Sequence, residues 1–193
     1  MKKAILLATV LLISVISTAC INNFAVQELN NKAKEFMEKG DYASAIERLK
    51  SSVDLDGNVF ETQYNLAVAY TQAEDYANAI KTYGDVIKIN PDFADSYYSL
   101  AVCEENLAKD IISGEVVVNE DESIEKAQPK NDDNENEAKD EKLSEVSVKV
   151  LTSMINNSIS DYQLYLDKSN NNDKEEIDNK IKELQELLEK HAK

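Results

Sequence analysis

The sequence is poor in the residues from which most catalytic and metal sites are built. It contains one histidine, two cysteines and no tryptophan among 193 residues. His191 lies close to the C-terminal end, where helices fray, and no Cys or His spacing is typical of a metal site. A phosphate-binding glycine loop and a nucleophile–base pair are also lacking. We therefore predict a protein that is not an enzyme and uses no cofactor, metal or small-molecule substrate.

Glycine, proline and positive charge are scarce as well. Four glycines and two prolines are too few for the many turns of a sandwich or barrel, so the composition favours an all-α fold. The 21 basic residues are outnumbered by 37 acidic ones, which gives a formal net charge of −16. Binding to nucleic acid needs clustered Lys and Arg, so this class of partner is excluded.

The first twenty residues differ in kind from the rest of the sequence. Lys2 and Lys3 form a short basic region, and a nearly unbroken apolar run follows over residues 4–16. This run is shorter than the roughly 20 residues that a membrane-spanning helix needs. We therefore predict a signal peptide over residues 1–19.

Cys20 follows the small residue Ala19, and this arrangement resembles the lipobox of bacterial lipoproteins. The resemblance implies an exported protein of the cell envelope, with a lipid such as palmitate on Cys20 and a lipid-anchored linker over residues 20–25. Ser17 stands where that family usually has leucine, and Ser17-Thr18-Ala19 also fits ordinary signal peptidase. Cleavage without lipidation therefore stays open, as does the choice between inner and outer membrane.

Two stretches of the sequence repeat with a period of 34 residues. The segment Lys39–Leu55, KGDYASAIERLKSSVDL, is echoed by Ala73–Ile89, AEDYANAIKTYGDVIKI. Alanine also recurs at positions 33, 67 and 101. Small and aromatic residues thus recur together in one register, which is typical of tandem helical repeats.

This register resembles that of tetratricopeptide repeats. The resemblance implies a short α-solenoid of antiparallel helix pairs, with repeats at 26–59 and 60–93 and the first helix of a third at 94–108. Ala45 and Ala79 are expected where paired helices cross, because small side chains there let two backbones approach closely.

The third repeat is interrupted by a segment rich in Glu, Asp, Asn and Lys. Residues 109–142 hold few large apolar side chains after Val118, so burial cannot offset the entropy of ordering them. We predict a disordered acidic insertion, with a short hairpin through Glu115–Val118 as the alternative. Its role stays open between a spacer and the recruitment of a basic partner.

Helical periodicity resumes at Leu143. Because Ser158–Leu166 is similar to Ala79–Ile87, we predict that this helix completes the third repeat. A final amphipathic helix from Asp173 to about His191 is expected to cap the array, so that residues 143–193 form its closing part.

In tetratricopeptide arrays the first helices of successive repeats line a concave groove that takes peptides or helices, so the resemblance implies a protein-interaction module. Chaperone-binding members clamp a C-terminal carboxylate with basic residues, but Asp95 and Ser99 stand where cations would be needed here. Tyr64 and Tyr98 are either partner anchors or packing residues. The predicted groove consists of Asn30, Lys34, Met37, Glu61, Tyr64, Val68, Thr71, Gln72, Asp95, Tyr98, Val102 and Glu105.

We therefore expect a membrane-tethered envelope adaptor that binds a peptide or helix of a protein partner. A self-associating structural envelope protein and an accessory subunit of an envelope enzyme or assembly machine remain as alternatives. Light scattering at graded concentrations separates the first alternative from the adaptor, because only a self-associating protein shows an average molar mass that increases with concentration.

Overall fold

Antiparallel helix pairs make up most of the computed structural model, which describes residues 22–127, 143–169 and 173–191. These residues contain seven helices and one two-stranded sheet. They divide into two compact units, one ending at Asp75 and the other beginning at Tyr76. The all-α expectation is confirmed apart from the small sheet. The predicted signal peptide, Cys20 and residues 128–142 of the predicted disordered insertion lie outside the described residues.

The first unit consists of three helices around a small-residue core. Helix α1 is described over residues 22–38, α2 spans Tyr42–Leu55 and α3 spans Phe60–Gln72. Residues 22–25, expected in the linker, are therefore helical. The core joins all three helices through Ala33, Ala45, Leu49, Leu66 and Ala69.

The turns after α1 and α3 follow the 34-residue register. The backbone N–H of Asp41 donates to the carbonyl of Phe36 at 2.9 Å, and Asp75 makes the equivalent bond 34 positions later, also at 2.9 Å. Gly40 has a φ of 73°, and Glu74 adopts the same left-handed region with a φ of 55°. Glycine adopts this conformation without strain because it has no Cβ, so Gly40 suits the first turn. Glu74 forms the same turn with some backbone strain.

The second unit contains four helices and a hairpin. Helix α5 packs against both α4 and α6, and α6 in turn packs against α7. Strands β1 and β2 pair antiparallel, with Val117 opposite Glu125. The elements are α4 (Tyr76–Ile89), α5 (Ala94–Ser113), β1 (Val116–Val118), β2 (Ile124–Lys126), α6 (Glu145–Lys168) and α7 (Lys174–His191).

The predicted end of α5 at Ala108 is wrong. The helix continues to Ser113 and ends at Gly114, whose φ of 75° stops it in the left-handed conformation. Ile111 and Val118 are both buried in the core of the second unit. Residues 109–127 are therefore folded rather than disordered, because this short apolar stretch packs on α5 and α6 while its charged residues stay at the surface.

Helix α6 completes the helix pair begun by α5, as the internal similarity predicts. Ser158 occupies the register position of Ala45 and Ala79, and it is fully buried. Its hydroxyl donates to the carbonyl of Ala101 at 2.9 Å. The helix begins at Glu145, two residues after Leu143, because the side chain of Ser144 caps it by accepting from the backbone N–H of Ser147.

The final helix α7 confirms the expected amphipathic segment. Ile177 and Leu184 are buried in the core of the second unit, while most of its charged residues are exposed. In the described part of the chain, no helix combines the length and apolar character needed to cross a membrane.

We predict that Ala45→Leu destabilises the first unit. Ala45 is completely buried, and overpacking a tight core of this kind costs about 1–3 kcal/mol in the free energy of unfolding, measured by urea denaturation. The matched control is Ala43→Leu on the exposed face of α2, with an expected change of no more than about 0.5 kcal/mol. Equal stability of the two variants would contradict the packing described for this crossing.

Candidate functional site

An open cavity of about 340 Å³ lies within the first unit. Most of its lining comes from α1, and single residues come from α2 and α3. Three lining residues belong to the predicted groove, namely Asn30, Lys34 and Met37. The complete lining is Asn30, Asn31, Ala33, Lys34, Met37, Leu49 and Asn65.

Helical spacing brings the α1 residues of this cavity together. Positions 30, 34 and 37 are separated by four and three residues, so their side chains lie on one face of the helix. The lining combines the buried apolar side chains of Ala33 and Leu49 with the exposed ammonium of Lys34. A concave site with apolar walls and a few polar groups suits an apolar side chain whose neighbouring backbone groups need hydrogen-bond partners.

Asn30 also holds the first unit together. Its Nδ2 lies 2.9 Å from the carbonyl oxygen of Val26, 3.1 Å from Oγ of Ser52 and 2.8 Å from Oγ1 of Thr62. The amide therefore joins α1 to α2 and α3. Because its N–H groups are engaged inside the unit, Asn30 shapes the cavity more than it offers donors to a partner.

The groove residues predicted on α3 remain at least partly accessible. The ring of Tyr64 stacks on that of Phe60, with centroids 6.0 Å apart and planes at 14°. The hydroxyl of Thr71 donates to the carbonyl of Ala67 at 2.9 Å. Of the five predicted residues, two are exposed, namely Glu61 and Gln72. The other three are half-buried, namely Tyr64, Val68 and Thr71.

Sequence reasoning missed two amides of the cavity, Asn31 and Asn65. Asn65 directly follows Tyr64 in the second repeat, and both asparagines are exposed. Three asparagines and a lysine converge on one cavity in a chain that is otherwise strongly acidic. Asn31 and Asn65 occupy the same position of the 34-residue register, and this recurrence was the signal available in the sequence.

In the second unit, Tyr98 is used for packing. Its ring centroid lies 5.8 Å from that of Tyr162 and 5.2 Å from that of Tyr165, both on α6. Asp95 is exposed and Val102 is half-buried. The packing interpretation of Tyr98 is therefore the one that its surroundings favour.

Glu105 is a buried residue of the second unit rather than an open groove residue. It is 7% exposed and accepts hydrogen bonds from Tyr162 Oη at 2.7 Å and from Lys180 Nζ at 3.4 Å, as well as from Lys109. Burial opposes ionisation, but the hydrogen bonds from Lys109 and Tyr162 outweigh it and lower the pKa of Glu105. The expectation failed here because α6, which covers Glu105, follows a long insertion that sequence spacing does not place.

Residues 36–102 match the sequence model of a family described as Tetratricopeptide repeat. This match supports the tetratricopeptide resemblance. Among curated proteins, no sequence matches the chain. In the described ranges, no group of three or more His, Cys, Asp or Glu residues is placed to hold a metal ion.

Solved structures with a similar fold include three tetratricopeptide domains. The first TPR of Spaghetti (RPAP3), bound to the HSP90 peptide SRMEEVD, is 16% identical with a TM-score of 0.54, covering 84% of this chain and 92% of that one. The second TPR domain of human RPAP3, in complex with the HSP70 peptide SGPTIEEVD, is 13% identical with a TM-score of 0.55, covering 85% and 98%. The first human RPAP3 domain is 15% identical with a TM-score of 0.54, covering 86% and 94%. Such low identities establish the tetratricopeptide-type fold and nothing finer.

We predict that Tyr162→Phe destabilises the second unit. The substitution leaves the ionised, buried carboxylate of Glu105 without its 2.7 Å hydroxyl donor, a loss of about 1.5–3 kcal/mol in the free energy of unfolding. Tyr98→Phe is the matched control, because the described contacts of Tyr98 are made by its ring. If urea denaturation gives both variants the same stability, the hydroxyl–carboxylate bond contributes nothing and the account of Glu105 fails.

Proposed function

We propose that this protein is a non-enzymatic adaptor that binds an extended or helical segment of a partner protein in the cavity of the first unit. The cavity carries the proposal, because it joins an apolar floor to a lysine and exposed amides on the first helices of the repeats. Tetratricopeptide folds serve as protein-interaction scaffolds, which agrees with this reading.

The geometry of the cavity suggests what such a segment would present. An apolar side chain would pack against Leu49 and Met37, and exposed amides of Asn31 and Asn65 would pair with backbone groups beside it. Lys34 would favour an acidic or neutral segment over a basic one. Two of the compared TPR domains are bound to acidic peptides of HSP90 and HSP70, which supports a peptide as the ligand class.

The identity of those peptides is not carried over to this chain. Clamping a C-terminal carboxylate in the chaperone-binding manner would require cations where Asp95 and Ser99 stand. We therefore propose an internal segment of the partner as the ligand.

We predict that Lys34→Glu combined with Met37→Ala strongly weakens partner capture. The double variant reverses the charge at position 34 and removes part of the apolar wall of the cavity. We expect the affinity for the partner to fall at least about 30-fold, which corresponds to a binding hot spot of about 2 kcal/mol. The measurement is crosslinking and affinity capture from envelope extracts, followed by titration of the recovered partner.

The matched control for this prediction is Lys32→Glu on the same helix. Lys32 pairs with Glu28 at 3.1 Å on an exposed face and does not line the cavity. Its charge reversal is identical to that at Lys34, so a general electrostatic effect would weaken both variants equally. A partner still captured by the double variant would place binding elsewhere in the chain.

We further propose that a lipid on Cys20 tethers the adaptor to a bacterial envelope membrane. The support is the basic, apolar and small-residue order of the first twenty positions. We expect Cys20→Ser to abolish incorporation of labelled palmitate and to move the protein from the membrane fraction to the soluble fraction. Cys103→Ser, which changes a buried thiol, should keep both label and membrane association. Absence of label from the parent chain, or label that survives Cys20→Ser, would reject the lipid anchor.

A further inference from the structure

Two neighbouring glutamates on α5 are buried in opposite surroundings. Glu105 is held by two lysines and a tyrosine hydroxyl, as described above. Glu104 is 3% exposed and lies against α6, where the side chains of Asp161 and Asn157 are its polar neighbours. Its Oε2 atom is buried and has no hydrogen-bond partner among the described residues. The carboxyl of Glu104 thus meets another carboxyl across the helix interface instead of a cation.

Glu104 is buried and Asp161 is half-buried, so two ionised carboxylates here would repel each other with little screening by water. Burial, together with the charge of Asp161, raises the pKa of Glu104 to about 9. Burial also raises the pKa of Asp161, to about 6. The lysines nearby do not relieve the repulsion, because Lys109 and Lys180 are bonded to Glu105.

We propose that Glu104 and Asp161 share a proton and form a proton-dependent latch between α5 and α6, which loosens as the pH rises. The shared proton lets one carboxyl donate a hydrogen bond to the other across the interface. Loss of that proton leaves a buried negative charge on Glu104 beside the half-buried charge of Asp161. The closing helix of the third repeat would then separate from α5, independently of what binds in the first unit.

The direction of the pH dependence follows from proton binding. The folded chain keeps a proton on Glu104 up to about pH 9, whereas an exposed glutamate loses it near 4.5. The latch is therefore complete below about pH 4.5 and weakens as the pH rises through 9. Glu105 acts in the opposite sense, because its pKa is lowered in the folded chain. Its contribution to folding stability is present when the pH is above the ordinary pKa of glutamate, and it is lost as the pH falls.

The decisive variant is Glu104→Gln in the full chain, since glutamine keeps the shape and the donor but cannot ionise. Cys103 provides a native reporter, because its thiol is completely buried beside Glu104 and reacts only when the interface opens. The rate of maleimide labelling is measured at pH 5.5 and 8.5 with Cys20→Ser as background, so that Cys103 is the remaining one of two cysteines. Comparing variants at the same pH cancels the ionisation of the thiol itself.

At pH 8.5 the closed form still largely holds its proton and opening releases it, so opening is favoured as the pH rises. We therefore expect the chain with Glu104 to label about tenfold faster than Glu104→Gln at pH 8.5, and the two to agree within about twofold at pH 5.5. Glu105→Gln is the matched control on the adjacent residue. It should label faster than the parent chain at pH 8.5, because it removes an ionised carboxylate from two lysines.

Two outcomes would overturn the latch. Equal labelling of the parent chain and Glu104→Gln at both pH values would show that no titrating group holds the interface. Faster labelling of Glu104→Gln, in the manner of Glu105→Gln, would show that Glu104 is needed as a charged group. Should Glu104→Gln not fold, Asp161→Asn replaces it, with a smaller pH dependence of labelling expected and an undiminished one overturning the proposal.

Discussion

Close approach of paired helices at small side chains is the constraint on which the rest of the structure depends. In the first unit Ala33 and Ala45 lie in one core. In the second, the backbone of Ala101 comes close enough to α6 for Ser158 to donate a hydrogen bond to its carbonyl. Larger residues at these positions would push the paired helices apart and weaken the other contacts between them. The positions fix which helix faces meet, and therefore which residues are left to form a site.

Local signals explain why much of the fold could be predicted from the sequence. The small-residue register and the turns at Gly40 and Glu74 are set by neighbouring residues, and both repeat after 34 positions. The hairpin after Gly114 was only the alternative to disorder, because composition was averaged over a long acidic segment, although a short run ending at Val118 was apolar enough to be buried. Averaged composition predicts disorder reliably only in segments without a short apolar run that can pack against a helix.

Only part of the geometry of the candidate cavity follows from the sequence. Helical spacing places Asn30, Lys34 and Met37 on one face of α1, and all three line the cavity. Spacing could not show that the amide of Asn30 is engaged by other helices of its unit, or that α6 would bury Glu105. Both depend on contacts between residues far apart in sequence, and no periodic pattern encodes those partners.

The same distance bears on the buried polar groups in the interface between α5 and α6. A helix that arrives after a long insertion has no short turn to fix its register, and an apolar face alone would tolerate a shift by one helical turn. Hydrogen bonds from Ser158 to Ala101 and from Tyr162 to Glu105 are satisfied in a single register. A shifted helix would leave these buried groups unpaired, which costs more than the apolar contacts would regain. We infer that the buried polar groups of the second unit fix the register of α6 against α5. Some of these groups are carboxyls, and the pair formed by Glu104 and Asp161 can therefore titrate.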